Sequence, residues 1–519
     1  MRAGLLLLLN LVQLATSANI LFYVLVLGKS HIDFIDSLVE TLVDNGHSVD
    51  MILARMNPLV TTNGTSKVSR RFVYELKENP WSSIPHLVKP FEKPRRTIND
   101  HSFFIELSTK LCDAGLSHAG LAAFLRARRY DVGVATDFEY CGTSIFRHFG
   151  VKSVATVTAL PLMEMQIINA GLPSPPAEAQ ILFETEDLTT IEGRFWNLLR
   201  WTYTNYIVQP TLAARNAEVI KKRLDVDLDP RRIHRDVDLM FVNTNEIIER
   251  PRAVSHKIKF IGGINLKAPR PLDDQFRRIA SRRARGIVVF CFGTQVDSRR
   301  FPLAVRRAFV EAFSKFPDYT FIWKYEKQAT DDDVEMFKNS TNLFLANWIP
   351  QTDLLYDSRV KGFISHVGLN SYLEASYAGV PILAIPLFVD QPYNALSGES
   401  IGTTYVLDKT KLSVDNIVKG LDAILHDSKY SINARRIAKM LNVRPNPPKQ
   451  EFVKWIEFLA KNPMLHKQLN LPGQSMTPFH YYCLDIIFLI IFSIFIFIFI
   501  LFLIIRRVCT VKLNKNKVD

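Results

Sequence analysis

Short apolar runs alternate with amphipathic stretches along most of the chain, and the two periods mark two kinds of element. Residues 20–27 are unbroken apolar; a Gly-Lys-Ser-His loop follows, then a 3.6-period pattern over 32–44, an Asn-Gly turn and a second apolar run over 48–53. That order predicts strand, helix and parallel strand, one βαβ unit. Further strands are predicted at 132–135, 153–157 and 238–243, with a Pro-rich segment around 171–176. After a stretch rich in Arg, Pro, His and Lys (250–259), strand-like runs resume at 258–261, 287–291, 320–323, 343–346, 362–365 and 382–385. The alternation argues for a parallel α/β architecture. Two doubly wound, Rossmann-like domains are expected, 19–250 and 251–445, with ligands at the carboxyl ends of the strands in a cleft between them. Residues 446–485 read as a helical return and juxtamembrane segment.

The ends of the chain are apolar in a different way. A basic start, a leucine run and small residues up to Ala18 describe a secretory signal peptide over 1–18. Residues 486–505 are uncharged and would be about 30 Å long as a helix, matching a bilayer core. Arg506, Arg507, Lys512, Lys515 and Lys517 follow, so the tail 506–519 is expected in the cytosol and all before the helix in the lumen, a single-pass type I topology. The terminal Lys515-Asn-Lys517-Val-Asp519 resembles a dilysine signal and points to the endoplasmic reticulum membrane. Asn63 and Asn339 each begin an Asn-x-Thr glycosylation acceptor.

Composition adds limits. At 519 residues the chain should hold two domains rather than one. The net charge of +13 is scattered and partly in the tail, so it is read as tolerance of anionic ligands and a membrane surface, not as a nucleic-acid footprint. Of five cysteines, Cys112, Cys141 and Cys291 lie away from the membrane and allow at most one luminal bridge; none has metal-ligand spacing.

The densest chemistry lies between Trp348 and Ala395. A strand runs into His366-Val-Gly368-Leu-Asn370-Ser371, where a helix opens; a second strand ends before Asp390-Gln391. A strand, a small-residue turn and a helix N-terminus form an anion site. His366, Asn370 and Ser371 add donors, Glu374 can accept from a vicinal diol, and Asp390 and Gln391 suit sugar hydroxyls. The chemistry is recognition of a nucleotide diphosphate carrying a sugar. Ser371-x-x-Glu374 also has the form of a capping box, which would make both residues helix-start devices.

This stretch resembles the signature of the UDP-glycosyltransferases, the family that includes the UDP-glucuronosyltransferases, and Trp348, Gln351, His366, Gly368, Asn370, Ser371, Glu374, Asp390 and Gln391 meet its spacing without a gap. The resemblance implies the GT-B fold over nearly the whole luminal chain. It implies that Trp348 stacks on uracil, Gln351 lies beside the nucleoside, and His366, Asn370 and Ser371 contact the diphosphate. Glu374 would hold the ribose, and Asp390 and Gln391 the transferred sugar. Phe292-Gly293-Thr294 matches the second phosphate-contacting loop. The implied activity is transfer of glucuronic acid from UDP-glucuronate to a small lipophilic acceptor, as in detoxification. The UDP-sugar is a co-substrate rather than a cofactor. A UDP-glucosyltransferase or a non-catalytic binding homologue is the alternative, and a homo-oligomer is left open.

For catalysis, a histidine at a strand end on a helix N-terminus can stay neutral and act as a base. His31 stands there. Asp137 ends another strand at the same edge and is expected to face it; the resemblance implies the same two residues. His47 and Asp131 lie at the opposite edge and read as structural. Inversion of the anomeric carbon is expected, with no metal, since His366, a helix N-terminus and backbone amides would meet the diphosphate charge. Two departures from the family stand out. Val367 takes the place of a usual glycine, with positive φ not expected to be required, and Asp357 stands where relatives often have His. Asp225-Val-Asp227 and Asp236-Val-Asp238 have the spacing of a metal-holding Asp-x-Asp, but read as a polar loop and a strand start.

Overall fold

The computed structural model describes residues 17–78, 90–92, 98–177, 187–293, 296–326 and 335–515. The signal-like start through residue 16, Thr294 and Lys517 lie outside them.

Two parallel sheets form the frame. The first has seven strands: β1 (Asn19–Val26), β2 (Ser48–Arg55), β3 (Arg70–Glu75), β4 (Val132–Thr136), β5 (Ser153–Thr158), β6 (Leu239–Val242) and β7 (Ile258–Phe260), in the order β3-β2-β1-β4-β5-β6-β7. The second has six: β8 (Gly286–Cys291), β9 (Tyr319–Lys324), β10 (Leu343–Ala346), β11 (Val360–Ser365), β12 (Ile382–Ala384) and β13 (Thr404–Val406), in the order β10-β9-β8-β11-β12-β13. β1 and β8 are interior, buried strands, which is why they read as continuous apolar runs rather than alternating ones.

The structure corrects the sequence reading in three places. β7 pairs in parallel with β6, so the run at 258–261 closes the first sheet and the expected boundary at residue 250 falls too early. β3 and β13 were not expected. β3 (RRFVYE) is polar because it is an edge strand, half open to water. β13 has only three residues, too few for a periodic signal.

The chain then returns. Helix Pro448–Lys461 places Phe452, Val453, Ile456 and Leu459 in the core of the first domain, against Phe22, Val24, Val134 and helix Lys29–Asp44. Four such side chains, at about 1.5–3 kcal/mol each for full burial, make a strong dock. The segment beyond it stays on the same domain: His466 Nδ1 lies 2.8 Å from Asp238, Asn470 donates to Asp236 (2.8 Å), and Gln474 donates to the carbonyl of Asn169 (2.7 Å). Helix Leu484–Lys515 projects from there, and its exposed stretch Leu484–Val508 is 25 residues, long and apolar enough to cross a membrane.

Cys112 and Cys141 form a disulfide. Asn63 and Asn339 are both exposed.

Candidate functional site

In the second domain the signature residues converge at the carboxyl ends of β8, β9, β11 and β12. β8 runs into Phe292 and Gly293, which has φ +70. β11 runs into His366, Val367 and Gly368, and helix Leu369–Ala378 starts with Gly368 as its N-cap. His366 lies in a slot between the two glycines. A Cβ on Gly368 would come within 2.8 Å of its Nε2, and one on Gly293 within 3.0 Å of its Cε1 and Nε2. Only glycine leaves both backbones this close to the ring. Burial, and then the nearby Lys324 charge, lower the pKa of His366 to about 4. At neutral pH the ring is therefore uncharged. Its Nδ1 has no partner.

The permanent charge beside that slot is Lys324, at the end of β9, whose Nζ donates to the Gly293 carbonyl at 2.9 Å. Sequence reasoning missed this residue. The signal was there: a lysine closing an apolar strand at the same edge as the Gly293 and Gly368 loops.

Val367 corrects an expectation. Its φ is +54, so the loop does require the left-handed region, and a β-branched side chain occupies it. The conformation is held from both sides: the Val367 N–H donates to Ser365 Oγ (3.0 Å), and its carbonyl accepts from Asn394 Nδ2 (3.0 Å). Its side chain is fully buried in the core, which offsets the strain. Val389, directly before Asp390, repeats the pattern at φ +61.

Glu374 is not part of a capping box. Ser371 lies inside the helix, not at its cap, and the Glu374 carboxylate reaches across to helix Gln351–Leu355, where Thr352 Oγ1 donates at 2.9 Å and Gln351 Nε2 also bonds. Gln351 Nε2 additionally approaches Ser371 Oγ at 3.2 Å. Burial raises the pKa of Glu374. Trp348 is 69% exposed at the start of this group. Asn370 accepts from Asn265 (3.0 Å), a residue that leads in from the first domain.

Asp390 is the N-cap residue of helix Gln391–Ser400. Burial pushes its pKa up to about 6, against hydrogen bonds from Asn394 and the Leu369 amide. Asn394 thus spans both loops, bonding Val367 and, at 2.7 Å, Asp390. Gln391 Oε1 accepts from the amides of Leu387 (2.8 Å) and Phe388 (3.1 Å), fixing the turn that presents the pair. Asp357 is turned away, accepting from Arg359 Nε at 2.8 Å.

Across the cleft, His31 stands in the first turn of helix Lys29–Asp44, stacked on Phe138 with ring centroids 5.5 Å apart. Burial lowers its pKa to about 4, and its Nδ1 has no partner. Phe138 belongs to an apolar cluster with Leu160, Met163, Val389 and Tyr393, which joins the two domains.

The expected pairing of Asp137 with His31 is not formed among the described hydrogen bonds. Asp137 accepts from His234 Nε2 at 2.7 Å, Gln166 Nε2 at 2.8 Å and Thr156 Oγ1 at 3.1 Å. The reason is strand parity. In β4, Val132 and Val134 face the core under helix Lys29–Asp44, while Ala135 faces the other core. Asp137 shares the parity of Ala135 and so turns to the opposite face, onto helices Glu164–Asn169 and Pro230–Arg235. Counting from Val132 would have predicted this. His47 and Asp131 sit at the amino edge as expected: the Ala18 amide donates to His47 (3.2 Å) and the Asn19 amide to Asp131 (2.8 Å).

The Asp-x-Asp candidates are committed elsewhere. Asp238 accepts from the Val154 amide at 2.8 Å and contacts His466, and Asp225 is the left-handed C-cap of a helix. Among the described residues no three metal-ligating side chains cluster.

Comparison with known proteins agrees with this geometry. The profile of the family described as UDP-glucoronosyl and UDP-glucosyl transferase matches residues 22–518. The chain is 26% identical over 497 residues to human UDP-glucuronosyltransferase 2A2, covering 92% of this chain and 90% of that protein. It is 27% identical over 507 residues to the Caenorhabditis elegans protein ugt-46 (94% and 93% covered), and 26% identical over 496 residues to UDP-glucosyltransferase 2 of Dactylopius coccus (92% and 90%). Among solved structures, the kitacinnamycin glycotransferase superposes with a TM-score of 0.61 at 15% identity, covering 86% of this chain and 99% of that one. A Polygonum tinctorium UDP-glucosyltransferase capable of glucosylating indoxyl gives 0.59 at 13% identity, with the same coverage. These likenesses show the GT-B fold.

Proposed function

Because the chain belongs to the family of UDP-glucuronosyl and UDP-glucosyl transferases, we propose that it transfers glucuronic acid from UDP-glucuronate to a hydroxyl of a small lipophilic acceptor, with inversion and without a metal. The observation that carries this reading is the placement of two neutral histidines on facing strand edges, one in a glycine slot fit for a diphosphate and one against an apolar wall.

In this reading Trp348 stacks on uracil, and Gln351 and Glu374 hold the nucleoside. Gly293, Thr294, His366, Gly368, Asn370 and Ser371 surround the diphosphate, with Lys324 beneath. Asp390 and Gln391 hold the sugar. His31 takes the acceptor proton as the anomeric carbon is attacked from the face opposite UDP. Burial keeps it in the neutral form that can accept a proton, while weakening it as a base, since a general base works best with a pKa near the operating pH. Asp137 acts at one remove. By holding Gln166 and His234 it fixes the wall beside the acceptor. The helix Leu484–Lys515 anchors the chain in the endoplasmic reticulum membrane with both domains luminal, and the disulfide supports an oxidising compartment.

Glucosyl transfer is the second reading, favoured by the Dactylopius coccus relative. A donor panel of UDP-glucuronate and UDP-glucose with small phenols, reading UDP release in EDTA, tests both. Release with neither donor, or only after a divalent metal is restored, would overturn the proposal.

A further inference from the structure

A buried charged cluster, which no step of the proposed transfer uses, crosses the domain boundary beside the sugar-holding turn. The chain between β6 and β7 leaves the first sheet, sets Ile248 into the core of the second domain, and returns. Glu249 and Arg252 follow Ile248, and both side chains are buried. Arg252 Nη2 donates to the Tyr393 hydroxyl at 2.8 Å, and that hydroxyl donates in turn to Glu249. On its other arm, Arg252 Nη1 donates to the Leu162 carbonyl at 3.3 Å and lies 3.9 Å from Glu164, also buried.

One guanidinium thus holds an element of each domain. Tyr393 lies in the first turn of helix Gln391–Ser400, directly behind Asp390, and its neighbour Asn394 bonds Asp390 and Val367. Glu164 opens helix Glu164–Asn169, whose Gln166 bonds Asp137. A continuous path therefore runs from Asp137 through that helix to Arg252, Tyr393 and the Asp390 turn. The apolar cluster at the same boundary, Leu160 and Tyr393 with Phe138, Met163 and Val389, holds the domains together but imposes no register, because hydrophobic contact is non-directional. The planar fork of an arginine, hydrogen-bonded on both arms, does impose one. Burying a guanidinium with two carboxyl groups brings little net stability, so the gain from this cluster lies in geometry.

We propose that Arg252 and Tyr393 are positioning residues for the transfer: they set the gap between the acceptor wall and the Asp390 turn, and so the distance from the acceptor oxygen to the anomeric carbon. The inference deepens the reading given above and rests on it for the places of sugar and acceptor. Reacting atoms must be held about 3–3.5 Å apart, and a misplacement of about 1 Å costs about 10²-fold in rate. In that reading the nucleotide is held elsewhere, around Trp348 and Glu374, so the gap can widen without releasing UDP.

The test uses the full chain in detergent micelles, with Cys483→Ser and Cys509→Ser as the parent and Cys291 buried. Tyr393→Phe removes one hydroxyl and keeps the ring in the apolar cluster. Arg252→Met removes the guanidinium, and Arg252→Lys keeps a charged donor without the fork. With the donor that the parent uses and a small phenol, kcat should fall about tenfold in Tyr393→Phe and about 100-fold in Arg252→Met, with Arg252→Lys recovering part of the loss. UDP affinity by calorimetry should hold, and both variants should release more UDP than they form glycoside, as water enters the widened gap. Spin labels at Glu218→Cys in the first domain and Lys419→Cys in the second, both exposed, should give one narrow interdomain distance in the parent and a broader one in Tyr393→Phe and Arg252→Met. Unchanged kcat in both variants would overturn this proposal alone. So would a fall in kcat with the narrow distance kept, or a fall in UDP affinity alongside kcat, which would make the cluster a prop of the fold. If the parent transfers sugar from neither UDP-glucuronate nor UDP-glucose, the transfer reading falls, and this proposal with it.

Discussion

His31 and His366 meet related conditions at the ends of their sheets. Each leaves Nδ1 buried without a partner, and burial holds each to a pKa of about 4. Their surroundings differ. His366 is gripped by two glycines, with Lys324 close enough to depress its pKa further. His31 stacks on the Phe138 ring, which belongs to an apolar cluster. In the proposed mechanism one neutral imidazole would donate to an anion and the other would receive a proton from a poorly solvated hydroxyl. Burial alone neutralises a histidine; its neighbours decide which way its proton goes.

The largest expected effect comes from removing the acceptor-side histidine. His31→Ala should cut turnover by about 10² to 10⁴, with UDP affinity by calorimetry close to unchanged because that site lies on the other sheet. Wild-type turnover on a weakly acidic alcohol would end His31's candidacy. Because Asp137 works on the opposite face of the sheet, His31→Ala and Asp137→Asn should multiply rather than overlap. A double variant no worse than the worse single one would restore a direct dyad.

On the donor side, Glu374→Gln removes the charge that accepts from Gln351 and Thr352 and would accept from the ribose. At about 1.5–3 kcal/mol per charge-assisted bond, UDP affinity should fall about 10- to 100-fold. Unchanged affinity would remove Glu374 from the nucleotide site. Lys324→Met should weaken UDP by about tenfold, the worth of one charge-assisted bond, and Lys324→Arg should recover part of it. Equal affinity in all three proteins would leave Lys324 a loop prop.

The two edges also part in pH. The raised pKa of Asp390, about 6, means its carboxylate is charged only above that pH, whereas the lowered pKa of His31 keeps the base neutral down to about 4. As pH falls, kcat/KM for the donor should therefore drop through about 6, on the sugar-binding side, well before the base protonates. Asp390→Asn should lower the plateau and abolish that limb. A limb that persists in this variant belongs to another group.

The smallest effect is predicted at Val367. Positive φ costs a β-branched residue about 1–2 kcal/mol, and its buried side chain returns about 1.5–3 kcal/mol. Val367→Gly should shift unfolding by only about 1 kcal/mol. Val367→Ala, which keeps the strain and loses the packing, should be the less stable of the two by thermal unfolding. The reverse order would mean that the strain is not real.

Legibility followed the same division. Most strands of both sheets were readable because buried parallel strands are apolar throughout, and the donor residues were readable because they crowd into one segment of sequence. Edge strand β3 was missed because half of it faces water. Lys324 and the Asp137–His234 contact were missed for another reason: their partners lie far away in sequence, and only the shared strand edge, for Lys324, and strand parity, for Asp137, link them. Val367 hid its conformation because nothing in its residue type announces a left-handed turn.

The return of helix Pro448–Lys461 into the first core bears on how such chains can be recombined. A module swap cut once between the sheets would give the first domain another chain's return helix. Its Phe452, Val453, Ile456 and Leu459 knobs would then have to fit holes selected for different ones. Hybrid transferases built on this scaffold should be spliced at two joints, so that the acceptor module travels with the helix that seals it.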